Sequence, residues 1–226
     1  MAKRIKSQGD EKAGKEWREG ELIETFKLNR IITHSTPLMK EWLDVQPPEL
    51  NIYEQYNFDK NLTRAQTQIA GWNEEDLKMK FISPILELGH LMDDGLAIGY
   101  FDKIISATVG GIKLIVKSDF MLAKGILDVI KTPYFHFQEY KPYKNPSGDS
   151  MAQLLEAFLI AQEKNKNGKP IYGVDIMGVN WRFVVMEGKD YCISNIFNSI
   201  DSADLLTIIA VLRKFKYILE TNLFEV

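Results

Sequence analysis

Residues 134–141 read Tyr134-Phe135-His136-Phe137-Gln138-Glu139-Tyr140-Lys141, and upstream of them stands Ser118-Asp119-Phe120. The aromatic run reads as a buried strand, which Pro142 ends or places near a sheet edge. Side chains two apart on a strand point to the same face, so Glu139 and Lys141 share one side. An Asp at the edge of a neighbouring strand, Asp119, would then meet them. Two carboxylates and a lysine at one point are what metal-dependent hydrolysis requires.

The triplet alone carries little. Acid-x-Lys recurs at Asp10-Glu11-Lys12, Asp76-Leu77-Lys78 and Glu187-Gly188-Lys189. The first lies in a charged tail, the second in a helical pattern and the third around a glycine turn. Only Glu139-Tyr140-Lys141 sits in a buried strand, so the surrounding pattern separates it from the other three.

Working outward, strands are expected over 97–109, 112–122 and 134–141, with Gly110-Gly111 as the hairpin turn between the first two. An amphipathic helix covers 150–164 and ends at Asn165-Lys166-Asn167-Gly168-Lys169-Pro170. Strands at 171–177 and 180–187 follow, Lys189–Ser194 is a candidate extension of the sheet, and Asp201-Ser202-Ala203-Asp204 opens a last helix, 203–220. Before the strands, Asn73-Glu74-Glu75-Asp76 is an acidic helix start whose pattern runs through Leu77, Phe81, Ile82 and Ile85. Pro84 inside it marks a kink or an early end. Residues 1–20 read as a flexible charged tail. Residues 21–70 read as a helical extension, punctuated by Pro47-Pro48 and packed on the main domain through Trp42, Leu43, Tyr53 and Tyr56. The third unit, 71–226, holds the chemistry.

The bulk properties agree with one core plus an extension: 226 residues, 45% hydrophobic and 11% aromatic. A net charge of −3 lacks the basic signature of many nucleic-acid binders, although acidic metal ligands lower net charge without forbidding that partner. The single Cys192 excludes an internal disulfide framework and fits a reducing cytoplasm. The charged first twenty residues have no apolar core of a signal peptide, and no run reaches the length of a membrane helix. A cytoplasmic protein without membrane association is expected.

Three stretches together resemble the PD-(D/E)XK nuclease superfamily, and within it the amino-terminal nuclease domain of type I restriction enzyme R subunits. They are Glu74 through Leu86, then Asp119 with Glu139-Tyr140-Lys141, then Gln153 with Tyr172-Gly173-Val174-Asp175 and Gly178-Val179-Asn180-Trp181-Arg182-Phe183. The likeness covers roughly 73–187 and leaves 1–70 outside. It departs from the family at Ser118, where proline is usual, at Ala157, where many relatives carry tyrosine, and in a longer gap between Asp119 and Glu139. The resemblance implies an α/β, restriction-endonuclease-like core: a mixed central sheet flanked by helices in the order α-β-β-β-α-β-β-α, with the helical extension before it.

It further implies a Mg²⁺-dependent nuclease acting on DNA in restriction, phage defence or repair, with Mn²⁺ able to substitute. Hard divalent cations take oxygen ligands and usually only one or two carboxylates, which suits Asp119 and Glu139. The backbone carbonyl of Tyr140 is the implied third ligand and Glu74 completes the site, with Glu75 as its rival. Lys141 would orient or deprotonate the attacking water. Gln153 has two readings, a catalytic or DNA-contacting role and closure of a capping box over Ser150-Met151-Ala152-Gln153. Asp149 reads as a turn or cap residue. Glu74 and Glu75 also suit the positive end of a helix dipole. His34, His90 and His136 show no ligand or nucleophile spacing, and His136 should face away from Glu139. Lys144, Lys166 and Lys169 could touch phosphates, although scattered lysines are usually solvated surface. The last helix reads as core or a partner-docking face, with a basic rim at Arg213, Lys214 and Lys216.

The chain lacks a Gly-x-x-x-x-Gly-Lys-Ser/Thr phosphate loop, so a motor or specificity subunit would be a separate polypeptide; a homodimer is the other partner open to it. DNA is the expected substrate ahead of RNA or a small phosphodiester. The competing reading is a catalytically silent nuclease-fold subunit that binds nucleic acid or scaffolds a partner complex.

Overall fold

The computed structural model describes residues 16–32, 36–92, 95, 97–142 and 148–223. Residues 1–15 of the charged tail, His34 and Lys144 lie outside them. Among the described residues a mixed sheet of eight strands is flanked on both faces by helices. The chain is α/β, and it begins with helix α1 (Glu19–Phe26) and strand β1 (Asn29–Ile31).

Helices α2 (Pro37–Leu43), α3 (Ile52–Gln68) and α4 (Glu74–Leu77) come next. From α4 the backbone runs through a π-helical turn (Lys78–Ile82) straight into α5 (Ser83–Leu88). Pro84 therefore does not end the helix. It sits at the start of α5, where a missing amide proton costs nothing, and the widened turn before it absorbs the irregularity.

Three long antiparallel strands follow: β2 (Ile98–Val109), β3 (Ile112–Ile126) and β4 (Val129–Lys141). Gly110 and Gly111 both have positive φ, 56° and 82°, as a tight hairpin turn demands. β4 begins five residues before the aromatic run, because residues 129–133 alternate with solvent and lack the hydrophobic signal. Helix α6 (Ser150–Asn165) crosses back, so that β5 (Ile171–Met177) joins β4 in parallel. Then come β6 (Asn180–Glu187), β7 (Asp190–Ile193), the short β8 (Phe197–Asn198) and helix α7 (Ser202–Ile218).

The strand order is β1-β7-β6-β5-β4-β3-β2, with β8 paired to β6. β4 and β5 lie in the middle and are buried on both faces, which explains their near-continuous apolar sequences. On one face α6 packs through Leu154, Phe158 and Ala161 against Phe137, Met121 and Val184. Gly173 allows that approach, since a Cβ there would sit 2.7 Å from the Phe158 ring. On the other face lie α2, α3, α5 and α7. Trp42 fills the centre, in edge contact with Tyr172, Phe183 and Phe215, its indole nitrogen donating to the Val211 carbonyl at 3.0 Å. The apolar stripe of α7, Leu205 through Phe215, is core.

The segment 21–70 is not purely helical, since β1 enters the sheet beside β7. Trp42 and Leu43 pack on the core. Tyr53 and Tyr56 do not: they are 80% and 66% exposed, and α3 turns Phe58, Asn61 and Ala65 inward instead. Tyrosine is apolar enough to suggest burial, but the helical phase set by Phe58 and Ala65 puts both on the opposite side. Among the described residues no helix is long and apolar enough to cross a membrane.

Candidate functional site

The ladder between β3 and β4 runs from Ile126↔Val129 to Phe120↔Gln138 and stops there. Beyond it β3 continues paired only to β2, and β4 only to β5. Asp119 and Glu139 are the next residues on each strand, at the point where the strands part. The parting leaves the Tyr140 amide without a strand partner, and the Asp119 carboxylate accepts its hydrogen bond at 2.8 Å. Amide and carbonyl of one strand residue point to the same edge, so the Tyr140 carbonyl looks into the same opening.

β2 is distorted at the same level. Asp102 has φ 55°, and pairing skips from Phe101↔Phe120 to Lys103↔Ser118. Its carboxylate holds Lys78 and Lys117, each at 2.7 Å, and Lys78 also holds Glu75 at 2.9 Å. These ion pairs tie α4 to the hairpin and decide between the two helix acids. Glu75 is turned toward Lys78, whereas Glu74 lies 3.7 Å from the Lys141 ammonium.

Glu139 is fully buried, and neither of its oxygens has a hydrogen-bond partner. Burial holds its pKa well above the ordinary carboxylate value, the Asp119 carboxylate adds to that push, and Lys141 opposes it. Asp119 is also raised, by burial first; the Tyr140 amide counteracts this, and the negative charge of Glu74 reinforces it. Two adjoining buried carboxyls, both held above the ordinary carboxylate value by burial and one with both oxygens orphaned, are the donor set a hard divalent cation satisfies. Among the described residues no three His, Cys, Asp or Glu side chains converge to hold a metal by themselves. The residues present fit a cation taking two carboxylates, a backbone carbonyl and water.

Gln153 does not close a capping box. Asp149 is the cap of α6, accepting from the Ala152 amide at 3.0 Å, and the buried side-chain oxygen of Gln153 has no partner. The cap is therefore one residue earlier than a Ser150 capping box would place it. Gln153 and Lys141 instead line one cavity of about 220 Å³, together with Lys117, Asp149, Trp17 and Glu156. Glu156 was not among the residues the sequence pointed to. It is 95% buried, its carboxylate accepts from the Ile115 amide on the unpaired edge of β3 at 3.1 Å, and burial pushes its pKa up to about 7 against that bond. A carboxylate in the apolar stripe of a helix was the available signal.

The other candidates are structural. His136 faces away from Glu139 and packs on Trp42 and Phe215. Asp175, within the matching stretch Tyr172–Asp175, is buried under Arg182, whose Nε donates to it at 2.8 Å. Lys166 pairs with Glu163, Lys169 caps the carbonyl of Asn222, and Arg213 binds Glu54 and the Leu88 carbonyl. The sequence matches no protein-family model and no curated protein.

Proposed function

We propose that this chain is a Mg²⁺-dependent nuclease of the PD-(D/E)XK type, hydrolysing phosphodiester bonds of DNA inside the cell. The observation that carries the reading is Glu139: a fully buried carboxyl with two orphaned oxygens, beside Asp119 and two residues before Lys141. A metal-free role gives no reason to keep such a group, because an unpaired buried carboxyl destabilises the fold. The resemblance carried by Glu74–Leu86, Asp119, Glu139–Lys141 and Gln153 supports the same reading, and the restriction-endonuclease-like core is proposed with it.

Asp119 and Glu139 would hold the cation, with the Tyr140 carbonyl as third ligand and Glu74 at the outer side. When bound, it supplies an acidified water and offsets charge on the phosphate. The bond from the Tyr140 amide fixes the Asp119 carboxylate with one oxygen turned away from that donor. Lys141 orients the attacking water and meets the phosphate charge. Glu74, 3.7 Å from its ammonium, holds the lysine in place. Gln153 faces the substrate from α6.

The test is cleavage of supercoiled and linear DNA with Mg²⁺ or Mn²⁺ against EDTA, for wild type and Lys141→Ala. Metal-dependent cutting that the variant loses supports the reading. Cutting that survives the substitution refutes the assignment of Lys141. Binding without cutting favours the catalytically silent subunit, for which the net charge of −3 and the absent phosphate loop leave room for a partner that supplies the motor.

A further inference from the structure

We propose that Arg182, oriented by Asp175, is a phosphate-binding residue of the substrate groove, so that a DNA backbone held at Lys141 runs across the ends of β4 and β5 to its guanidinium. The inference rests on the nuclease reading and names the path the substrate takes away from the cut.

The strand register sets the row. Glu139 pairs with Asp175 on β5, and Asp175 with Arg182 on β6, so the three side chains stand side by side on the face toward α6. Strands lie roughly 5 Å apart, which puts the Arg182 backbone roughly 10 Å from that of Glu139. Lys141 and Met177 are the last residues of β4 and β5, parallel neighbours joined through α6. The crevice outside the carboxyl ends of such strands is where open α/β sheets take ligands.

Three clefts adjoin along that crevice. The first, about 220 Å³, is lined by Lys117 and Lys141, and it shares Trp17, Gly148 and Asp149 with a second of about 660 Å³ that reaches Arg182. A third, about 510 Å³, has Arg30 and Arg182 in its wall. Arg182 therefore stands where the second and third meet. Two of the three acids in the second cleft are engaged within the protein. The oxygens of Asp149 accept from the amides of Ala152 and Glu19, and Glu19 binds Arg30 and the Tyr191 hydroxyl. The third, Glu16, is offset in the same wall by Arg18.

Asp175 is the holder of this arginine. It is fully buried, and one of its oxygens accepts from both Nε and Nη2 of Arg182, while Oδ1 has no partner. Such a pair adds little to stability, because desolvation of the charges offsets their attraction. What it fixes is the direction of a planar guanidinium. Two of the five N–H groups are used on Asp175, and the side chain keeps 28% of its surface in solvent. The remaining donors suit a phosphate oxygen.

The experiment is fluorescence anisotropy with a short labelled DNA strand and its duplex, in Mg²⁺, on the Lys141→Ala protein so that nothing is cut. Affinity is followed between about 50 and 200 mM KCl. Adding Asp175→Asn with Arg182→Gln removes one charge of each sign and leaves the net charge unchanged. Binding is expected to weaken about tenfold, and the slope of log affinity against log salt to become shallower by about one. Lys40→Ala, on the opposite face of the sheet, should change neither. Circular dichroism checks the fold. Where the double substitution does not fold, Arg182→Lys decides: it keeps a cation for Asp175 but loses the fork, and binding should weaken severalfold. Unchanged affinity and slope in the folded double variant, wild-type affinity in Arg182→Lys, an equal loss in Lys40→Ala, or no DNA binding by the Lys141→Ala protein overturns the inference. Cleavage is scored separately with Lys141 intact. Binding that depends on Arg182 in a protein that does not cut sinks the nuclease reading and keeps the groove; cutting with binding indifferent to Arg182 does the reverse.

Discussion

The two faces of β4 solve the same problem in opposite ways. Toward α7, His136, Gln138 and Tyr140 bury their polar groups as a chain. The Tyr140 hydroxyl donates to the Gln138 oxygen at 3.1 Å, and the Gln138 amide lies 3.0 Å from His136 Nε2. Burial lowers the pKa of His136 to about 3, so it is neutral, and the amide donor makes Nε2 the acceptor. Toward α6, Glu139 and Lys141 alternate with them on the same strand, and the carboxyl oxygens of Glu139 have no hydrogen-bond partner, only the charges of Lys141 and Asp119 nearby. One face carries a hydrogen-bonded chain that leaves only His136 Nδ1 without a partner. The other leaves both oxygens of the Glu139 carboxyl without a hydrogen-bond partner, which the proposed cation would supply. On the proposed reading, stability and function are separated by a single residue step along one strand.

The sharpest way to break that separation is to cut each face in turn. Lys141→Ala should lower DNA cleavage by about 10³-fold, within the range for losing a group that moves or orients a proton, while leaving the melting temperature near wild type. Trp42→Ala should do the reverse. Removing the aromatic that touches Tyr172, Phe183 and Phe215 costs about 3–5 kcal/mol of stability, measured by urea unfolding. The fraction that remains folded should keep its turnover. If both variants lose activity and stability together, the two faces are coupled and the comparison fails.

A smaller effect should appear in the pH dependence of metal-free stability, with opposite signs on the two sides of the sheet. Glu156 has a folded pKa of about 7, above its ordinary 4.5, so the folded state binds the proton more tightly. Stability from this group is full below pH 4.5 and is lost as pH rises to about 7. His136 goes from 6.5 to about 3, so the unfolded state takes the proton first. Its contribution is full above pH 6.5 and is lost as pH falls toward 3. Each limb has a slope of up to about 1.4 kcal/mol per pH unit. Denaturant titrations across this range should show Glu156→Gln flattening the neutral limb alone, and His136→Phe the acid limb alone.

The smallest effect tests the two helix acids. Glu74→Gln, which loosens Lys141, should reduce cleavage roughly tenfold. Glu75→Gln should leave cleavage within about twofold, because Glu75 is an exposed partner of Lys78, which Asp102 also holds. Equal losses in the two variants would remove Glu74 from the site.

Much of this molecule was legible from residues alone, because the signals were local. The Gly110-Gly111 turn and the α6 and α7 stripes fall within about two residues of where the structure has them, while β3 and β4 extend four and five residues further at their shared hairpin end. The opposite orientation of His136 and Glu139 follows from the strand period. What escaped depended on distant chain. Asp149 caps α6 as its sequence position suggested, but Gln153 does not close the capping box the sequence also allowed, and Tyr53 and Tyr56 face outward because the phase of α3 is set by the core it meets. Glu156 meets Ile115 across 41 residues, and Asp102 meets Lys78 across 24. No periodicity records such meetings.

The sequence by itself determined much of the element order and the burial of the aromatic run of β4, because residue type and period settle which face of a strand a side chain takes. Only the tertiary structure decided where β3 and β4 part, which of Glu74 and Glu75 reaches Lys141, and that Glu139 stays unpaired beside a cavity lined by Gln153 and Glu156. Those outcomes hang on distances between segments far apart in the chain, and such distances exist only once the sheet has closed around its helices.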